Sequence, residues 1–448
     1  LGRVRISGGT DDEKTIFYTA LYHTMIDPRI YTDVDGRYVG GDGKIYMSDS
    51  TFTKRTIFSG WDVFRSQFPL QTIINPRLVS DELNSLITMA DQSKREYYER
   101  WELLNAYSGC MLGNPALSVL ADAYIKGIRT YDVEKAYQYA VNTSGRFGND
   151  SLGYTPEPLS ISHTLEYAYT DWCISQLAKA LGKEDDFECF YEKGQAYHAV
   201  FDKEKGWFRP RMADGSWVTW PEDARTKEWY GCIEANAYQQ GWFVPHDVPG
   251  MVELMGGKEK VIADLTDFFN NTPSDMLWNV YYNHANEPVH FVPFLFNRLG
   301  VPWYTQKWTR HTCEQAYANS VEGIVGNEDV GQMSAWYVLA ASGIHPSCPG
   351  DTRMEITSPV FDQIEFRLDP DYYSGDTFTV IAHNNHRKNS YIQRALLNGK
   401  EYNRCYLDFS DIAAGGILEL FMGDKPNEKW GVDREEDSTF STKTNKEK

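Results

Sequence analysis

The sequence predicts a mainly α-helical protein, an (α/α)6 toroid followed by a small C-terminal antiparallel β module. Two observations indicate this fold. Between about 79 and 343, apolar residues recur at spacings of three and four, and no strand patterns alternate with these segments. After Cys348 the apolar residues instead alternate with a period of two. Roughly twelve helices without intervening strands are typical of a ring whose inner helices surround a central depression.

The helical part is assigned to residues 1–345. It opens with a helix over 11–27, which is acidic at its start and ends near a proline. Short β-prone runs separated by glycine-rich turns then predict a β-ribbon insertion at about 30–58. Helix 162–181 has an apolar face and ends at Gly182. The other predicted helices are 81–99, 116–129, 133–142, 185–201, 231–243, 257–270, 289–299, 312–322 and 331–342.

The C-terminal β-strand module is assigned to residues 346–435. Alternating apolar segments predict its strands, and Asn398-Gly399 is typical of a hairpin turn. The last residues are charged and rich in Ser and Thr, which predicts a flexible tail over 436–448. The predicted strands are 353–357, 363–368, 377–382 and 416–422.

The composition excludes several classes of function. A net charge of −19 argues against binding to nucleic acid or to anionic membranes, because both need basic patches. No run of about 18 apolar residues exists, so no transmembrane segment is expected. The 7 cysteines include no Cys-x-x-Cys pair, which excludes an obvious zinc module. The aromatic share of 14% suits sugar stacking, although most of these rings are expected to fill the core.

The stretch 231–247 places the carboxylate of Glu234 among aromatic residues. Loss of hydration there would raise its pKa and keep it protonated, as a general acid requires. The alternative is an ordinary glutamate on a helix surface. Asn236 is a candidate substrate-binding residue beside it. His246 can donate to a sugar hydroxyl, and Asp247 can bind the substrate or simply cap the next helix.

A second carboxylate group, Asn327-Glu328-Asp329, precedes the predicted helix 331–342. Asp329 can act as a base that activates water, with Asn327 and Glu328 as helpers, or these residues can be helix caps. Two isolated carboxylates in surroundings rich in aromatic and amide groups suit acid/base cleavage of a glycosidic bond. The distance between them, which decides between inversion and retention, is not encoded in the spacing.

A third candidate group lies in the stretch 59–65. Trp61 can stack on a sugar ring, while Asp62 and Arg65 can bind vicinal hydroxyls. The alternative is a salt-bridged pair at the start of a helix.

A fourth group of polar side chains occupies the stretch 281–290. Asn286, Glu287 and His290 can hold a sugar or, through oxygen atoms, a hard cation such as Ca²⁺. A structural turn explains the same residues equally well.

Several stretches that run in order along almost the whole chain resemble glycoside hydrolase family 92, the calcium-dependent exo-acting α-mannosidases. The most characteristic are Ser59-Gly-Trp-Asp-Val-Phe-Arg65 and Gly326-Asn-Glu-Asp-Val-Gly-Gln-Met-Ser334. Each is short, but together they are highly specific. The other matching stretches are 16–24, 122–127, 164–172, 234–247, 286–288 and 426–431.

The resemblance implies hydrolysis of terminal α-mannosides of glycans by an inverting mechanism, on an (α/α)6 catalytic domain. It makes Glu234 the general acid and Asp329 the general base, with Asn327 beside the base. Ca²⁺ would be held by Glu287 and His290, next to the terminal mannose, where the ion is expected to engage two sugar hydroxyls. The residues assigned to the substrate are Trp61, Asp62, Arg65, Asn236, His246, Asp247, Asn286 and Glu287.

This sequence departs from the family pattern in three places. Family members begin with a β-sandwich domain that closes over the active site, and we expect it to be a separate chain or to have been cleaved away. His290-Phe291 stands where relatives often have two histidines. Asn286, in a region that contacts the leaving-group sugar, leaves the linkage open among α-1,2, α-1,3 and others.

Two other functions remain open at this point. The first is another hydrolase or a phosphorylase built on an α/α toroid. The second is a catalytically inactive glycan-binding subunit. The glycan-foraging role of the resembling family implies export to the periplasm, the cell surface or the medium.

Overall fold

The computed structural model describes residues 1–48, 50–149 and 151–432. The tail expected over 436–448 lies outside the described residues. The α-helices of the described residues are α1 (Asp11–His23), α2 (Gly60–Val63), α3 (Gln67–Ile74), α4 (Pro76–Gln92), α5 (Pro115–Ile125), α6 (Val133–Arg146), α7 (Ser160–Ala180), α8 (Glu184–Lys193), α9 (Ala237–Gln240), α10 (Val248–Leu254), α11 (Lys258–Asn270), α12 (Leu295–Arg298), α13 (Pro302–Gln315), α14 (Gln332–Ala341) and α15 (Phe409–Ala413).

The strands are shorter and fall mostly at the two ends of the chain. They are β1 (Val4–Ser7), β2 (Arg29–Ile30), β3 (Arg37–Val39), β4 (Ile45–Met47), β5 (Arg55–Thr56), β6 (Glu102–Leu103), β7 (Ala106–Tyr107), β8 (Phe201–Asp202), β9 (Trp207–Phe208), β10 (Ile344–Pro346), β11 (Arg353–Ile356), β12 (Gln363–Arg367), β13 (Thr377–His383), β14 (Tyr391–Leu397), β15 (Lys400–Glu401), β16 (Tyr406–Asp408) and β17 (Gly416–Gly423).

The helices fall into a buried group and an amphipathic group. All residues of α3 and α14 and nearly all of α7 are buried, whereas α4, α6 and α11 expose a polar face. The apolar residues expected on one face of α7 are buried, and polar residues such as Glu166 are buried and paired as well. Among the described residues, no helix combines the length and apolar character needed to cross a membrane.

Three predicted helices differ most from the observed ones. Only Ala237–Gln240 of the predicted helix 231–243 is helical, because Glu234 has a φ of 48° and Asn236 caps the helix after it. The segment 289–299 forms two short 3₁₀ turns before α12, since its prolines lack the amide hydrogens of a continuous helix. The helix predicted at 312–322 is instead α13, which ends at Gln315.

The main sheet has six strands in the order β1-β12-β13-β17-β14-β15. All its pairings are antiparallel except β13–β17, so the prediction of an antiparallel module is wrong at this pair. The last strand fills a gap between β13 and β14, and a strand between two oppositely directed strands must run parallel to one of them. Strand β1, from the N-terminus, crosses the predicted boundary at 345/346 to pair with β12.

A buried ion network joins the helical part to the smaller sheet, β10-β11-β16. Glu355 on β11 accepts from Arg298 at the end of α12 and from Arg353, each at 2.8 Å. Burial works to raise the pKa of Glu355, but the charges of the two arginines outweigh it and hold the pKa below its usual value. The network fixes the smaller sheet against the helical part.

Candidate active site

Three acidic side chains from distant parts of the chain converge in the structure. Asp62, Glu287 and Asp329 each offer a carboxylate oxygen, and these oxygens lie within 4.8 Å of one another. Asp62 and Glu287 are 1% exposed, and Asp329 is half-buried. We refer to these three residues as the carboxylate cluster. No other such group of three metal-ligating side chains occurs within the described residues.

Burial and mutual repulsion make the carboxylate cluster unfavourable as three free anions. Desolvation raises the pKa of Glu287 well above its usual value, and the charges of Asp62 and Asp329 raise it further. Desolvation followed by the charge of Asp329 likewise raises the pKa of Asp62, and desolvation raises that of Asp329. A bound cation would remove this cost.

Glu287 carries the strongest sign of a missing positive partner. Both of its carboxylate oxygens are buried, and no amide, hydroxyl or basic group of the described residues donates to either of them. Asp62, by contrast, accepts a hydrogen bond from the Ser59 hydroxyl. Buried carboxylates are normally paired with a charge or a metal, and an all-oxygen set suits a hard divalent cation. The residues present therefore fit such an ion.

Glu234 lies beside the cluster on an irregular loop rather than on a helix. Its side chain is exposed, and desolvation followed by the charge of Asp329 raises its pKa. Its φ of 48° is uncommon for a residue with a side chain. The Asn286 amide donates to the Glu234 carbonyl oxygen at 2.7 Å and so ties this loop to the turn that carries Glu287.

The loop that carries Asp329 also has a left-handed backbone. Asp329, Val330 and Gly331 have φ angles of 48°, 58° and 99°. The capping role considered for Asp329 belongs to Glu328, whose carboxylate accepts from the Gly331 amide at 2.6 Å. Asn327 is exposed next to this loop. Left-handed non-glycine residues cost about 1–3 kcal/mol each and concentrate at functional sites.

Gly326 allows the Asp329 loop to approach the Glu287 turn. It has a φ of +78°, and a Cβ atom there would collide with the carbonyl oxygen of Ala285. Gly43 has the same φ of +78°, but no atom lies within 4 Å of the position that its Cβ would take. Gly43 therefore isolates the effect of the backbone conformation from that of the collision.

We expect Gly326→Ala to destabilise the protein by roughly 3 kcal/mol and to displace Asp329. Gly43→Ala should cost about 1 kcal/mol, since it adds backbone strain without a collision. Urea unfolding of both variants checks this. Equal losses in the two variants would mean that the close approach at Gly326 contributes nothing.

Gln332, the first residue of α14, links the backbones behind the carboxylate cluster. Its amide oxygen accepts from the Ser66 and Gln67 amides at 2.9 and 3.2 Å. Its amide nitrogen donates to His290 Nδ1 and to the Ser66 hydroxyl, both at 3.1 Å. One side chain thus joins the segments that follow each of the three acids.

His290, a predicted metal ligand, is buried and hydrogen-bonded. Its Nδ1 accepts from Gln332, and its Nε2 donates to the His284 carbonyl oxygen at 3.1 Å. Desolvation lowers its pKa to about 3, so the ring is neutral. Both ring nitrogens have partners within the protein, and His290 is not in the carboxylate cluster, so its role as a metal ligand stays a prediction.

Arg65 and Trp61 are buried, and Arg65 has hydrogen-bond partners inside the protein. The Arg65 guanidinium donates to Glu166 at 3.1 Å and to the Trp61 carbonyl oxygen at 3.0 Å, so it does not pair with Asp62. It lies among the rings of Trp61, Phe64 and Phe243. Trp61 is only 2% exposed, which leaves little ring face for a sugar.

Asn236, Asp247 and His246 have structural partners. Asn236 caps α9, and Asp247 caps α10 and accepts from the Tyr197 hydroxyl at 2.7 Å. His246 donates to the Gly194 carbonyl oxygen at 2.8 Å. Of the two roles considered for Asp247, the cap is the observed one.

Sequence reasoning missed two residues that hold the site together. Ser59 had a usable signal, because Ser-x-x-Asp is the spacing at which a side chain at a helix start reaches the third residue after it. The sequence carries no signal for Gln332 apart from its place at the start of the predicted helix 331–342. Its four hydrogen-bond partners belong to segments that are far away in sequence.

The chain as a whole matches a known protein family. A sequence profile of the glycosyl hydrolase family 92 catalytic domain matches residues 1–424. The chain belongs to glycoside hydrolase family 92. This confirms the family resemblance drawn from the motifs.

Solved structures of family 92 proteins share this fold. An α-mannosidase from Bacteroides thetaiotaomicron matches with a TM-score of 0.90 and 34% identity, over 96% of this chain and 58% of that one. An inverting mannosidase of this family, from strain VPI-5482 of that organism, gives 0.86 and 34%, over 96% and 62%. These likenesses confirm the predicted toroid with its small sheet module.

A curated protein is also similar to this chain over most of its length. It is an uncharacterized secreted glycosidase of Arthroderma benhamiae, 28% identical over an alignment of 479 residues that covers 95% of this chain and 55% of that protein. This family 92 chain therefore spans a little more than half the length of the relatives it matches.

Proposed function

We propose that this chain is the catalytic part of an exo-acting α-mannosidase that hydrolyses terminal α-mannosides of glycans with inversion and depends on Ca²⁺. The observation that carries the proposal is the buried carboxylate cluster with the exposed, protonation-prone Glu234 beside it. Membership of family 92 and the α-mannosidase relatives favour mannose over other sugars.

Glu234 is proposed as the general acid. Desolvation and the charge of Asp329 raise its pKa, which extends the pH range over which the carboxyl group keeps its proton, and its exposure lets it reach a glycosidic oxygen from the open side. The Asn286 amide holds the carbonyl of Glu234 and so sets the direction of the loop. We therefore propose that Asn286 positions the general acid, in addition to the substrate contact that the sequence predicts for it.

Asp329 is proposed as the general base. It is the most exposed member of the carboxylate cluster, so one of its oxygens can face a water molecule while the buried acids hold the ion. Asp62 and Glu287 would bind Ca²⁺ through carboxylate oxygens, the ligand type this ion prefers. When bound, the ion supplies a positive charge and open coordination positions for sugar hydroxyls.

Secretion or export to the periplasm is part of the proposal. It is supported by the secreted relative, and an extracellular glycan is the substrate class such an enzyme meets. The N-terminal β-sandwich domain expected from the family is proposed as the partner that closes the site.

The proposal is tested by proton NMR of α-mannobiose hydrolysis by the full-length protein that contains this chain, with EDTA and with Ca²⁺. We expect β-mannose to appear first, EDTA to abolish the reaction and Ca²⁺ to restore it. First appearance of α-mannose would overturn inversion, and glucose release or a need for phosphate would indicate another toroid enzyme. Mannose binding without hydrolysis of any linkage would indicate a glycan-binding subunit.

A further inference from the structure

The tryptophans of this chain are almost all buried or half-buried. All 13 lie within the described residues, and two are exposed. Trp229 is 58% exposed and Trp278 is 56% exposed. A large aromatic ring in water is costly to maintain, and exposed tryptophans are enriched where a protein binds a ligand or partner. Their position relative to Glu234 is therefore informative.

Trp229 belongs to the loop of the proposed general acid. Its backbone amide donates to the Ala235 carbonyl oxygen at 3.1 Å, which closes the loop around Glu234. Its φ is 63°, a left-handed conformation that is rare for a bulky residue. The backbone at Trp229 is thus held in a costly shape that leaves the indole in solvent, on the same loop as Glu234.

Trp278 precedes a stretch that is hydrogen-bonded to the residues just after Glu234. The Asn236 amide, two residues after Glu234, donates to the Val280 carbonyl oxygen at 3.0 Å. The Gln239 amide donates to the carbonyl oxygens of Asn279 and Tyr281 at 2.8 and 2.9 Å. The stretch that follows Trp278 is therefore fixed to the start of α9.

We propose that Trp229 and Trp278 form a binding platform for the sugar units on the leaving-group side of the scissile bond. A general acid must sit next to the oxygen of the leaving group, so the sugars beyond that oxygen pass over the loop that carries Glu234. The apolar C–H faces of sugar rings stack on exposed indoles. The ligand class is an oligosaccharide of at least two units beyond the bond cleaved, and this inference rests on the proposed function.

The test compares an α-mannotriose of the linkage that the wild-type protein cleaves with α-mannosyl fluoride, which has no leaving-group sugar. In Trp229→Ala and in Trp278→Ala, the ratio of kcat/KM for mannotriose to that for the fluoride should fall about tenfold. Trp303→Ala is the matched control, because Trp303 is a half-buried indole at the start of α13. That variant should leave the ratio unchanged.

A binding measurement tests the role of the two tryptophans independently of the proposed mannosidase activity. Calorimetric titration of mannotriose into proteins that also carry Glu234→Gln should show weaker binding for each tryptophan variant. An unchanged ratio together with unchanged binding, or equal losses on both substrates with a lower melting temperature, would overturn the platform. If the wild-type protein cleaves neither substrate, the proposed function fails, and the titration alone decides whether the tryptophans bind the sugar.

Discussion

Glu234→Gln is expected to slow hydrolysis of α-mannobiose about a thousandfold while the protein stays folded. General acid catalysis contributes roughly 10²–10⁴-fold, and glutamine keeps the size of the side chain but has no proton to transfer. Because the side chain is exposed, its replacement should change the free energy of unfolding by less than about 0.5 kcal/mol. Initial rates of mannose release and thermal unfolding measure the two effects.

Glu322→Gln is the matched control, since Glu322 is an exposed glutamate a few residues before the Asp329 loop. It should retain wild-type turnover. α-Mannosyl fluoride should suffer a much smaller loss with Glu234→Gln, because fluoride leaves without a full proton transfer. Wild-type turnover of mannobiose by Glu234→Gln would refute the assignment of the acid.

The pH dependence of kcat/KM tests the role of Glu234 as the general acid independently. Desolvation and the charge of Asp329 raise the pKa of Glu234. A general acid works only when protonated, so kcat/KM should fall as the pH rises through this raised pKa. That basic limb should be missing from the residual activity of Glu234→Gln.

Most of the helical fold was predictable from local signals, but the backbone around the proposed acid was not. Periodicity and terminal glycines located most helices, including α7 with its stop at Gly182. The predicted helix 231–243 was wrong because its residues favour helix, while tertiary contacts hold Glu234 at a positive φ. Tertiary contacts therefore override helix propensity at Glu234, the proposed general acid.

The acidic residues of the site were predictable as candidates, but their convergence was not. Asp62 is far in sequence from Glu287 and Asp329, and only the packing of α2, a 3₁₀ turn and a loop brings the three together. The sequence also cannot show that both ring nitrogens of His290 have hydrogen-bond partners within the protein. Residue type indicates which groups can bind a metal, and partner geometry decides which do.

Glu234 and Asp329, the proposed acid and base, both have a φ of 48°. Neither conformation is favoured by the residue itself, so the surrounding contacts must offset its cost. Asn286 holds the first loop, and Gly326 and Gln332 hold the second. The backbone cost expected at both positions supports the proposed functional roles of the two carboxylates.

The carboxylate cluster likewise lowers stability in favour of function, and Glu287→Gln should expose this. In EDTA we expect this variant to be more stable than the wild type by about 1–3 kcal/mol. The mutation removes a buried carboxylate that has no amide, hydroxyl or basic donor, while glutamine can donate to a neighbouring acid. Glu355→Gln makes the same change at a buried glutamate held by two arginines, and it should cost roughly 3 kcal/mol.

Ca²⁺ and pH should then act on the wild type but not on Glu287→Gln. Calcium at a hundred times its Kd should stabilise the wild type by about 2.7 kcal/mol and leave the variant almost unchanged. In metal-free wild type the pKa of Glu287 is raised above its unfolded value, so stability should fall as the pH rises above about 4.3. In Glu287→Gln the free energy of unfolding should fall less steeply with rising pH. A destabilised Glu287→Gln in EDTA would show that Glu287 is a structural acid with a partner, because an unpaired buried carboxylate costs stability until its cation is bound.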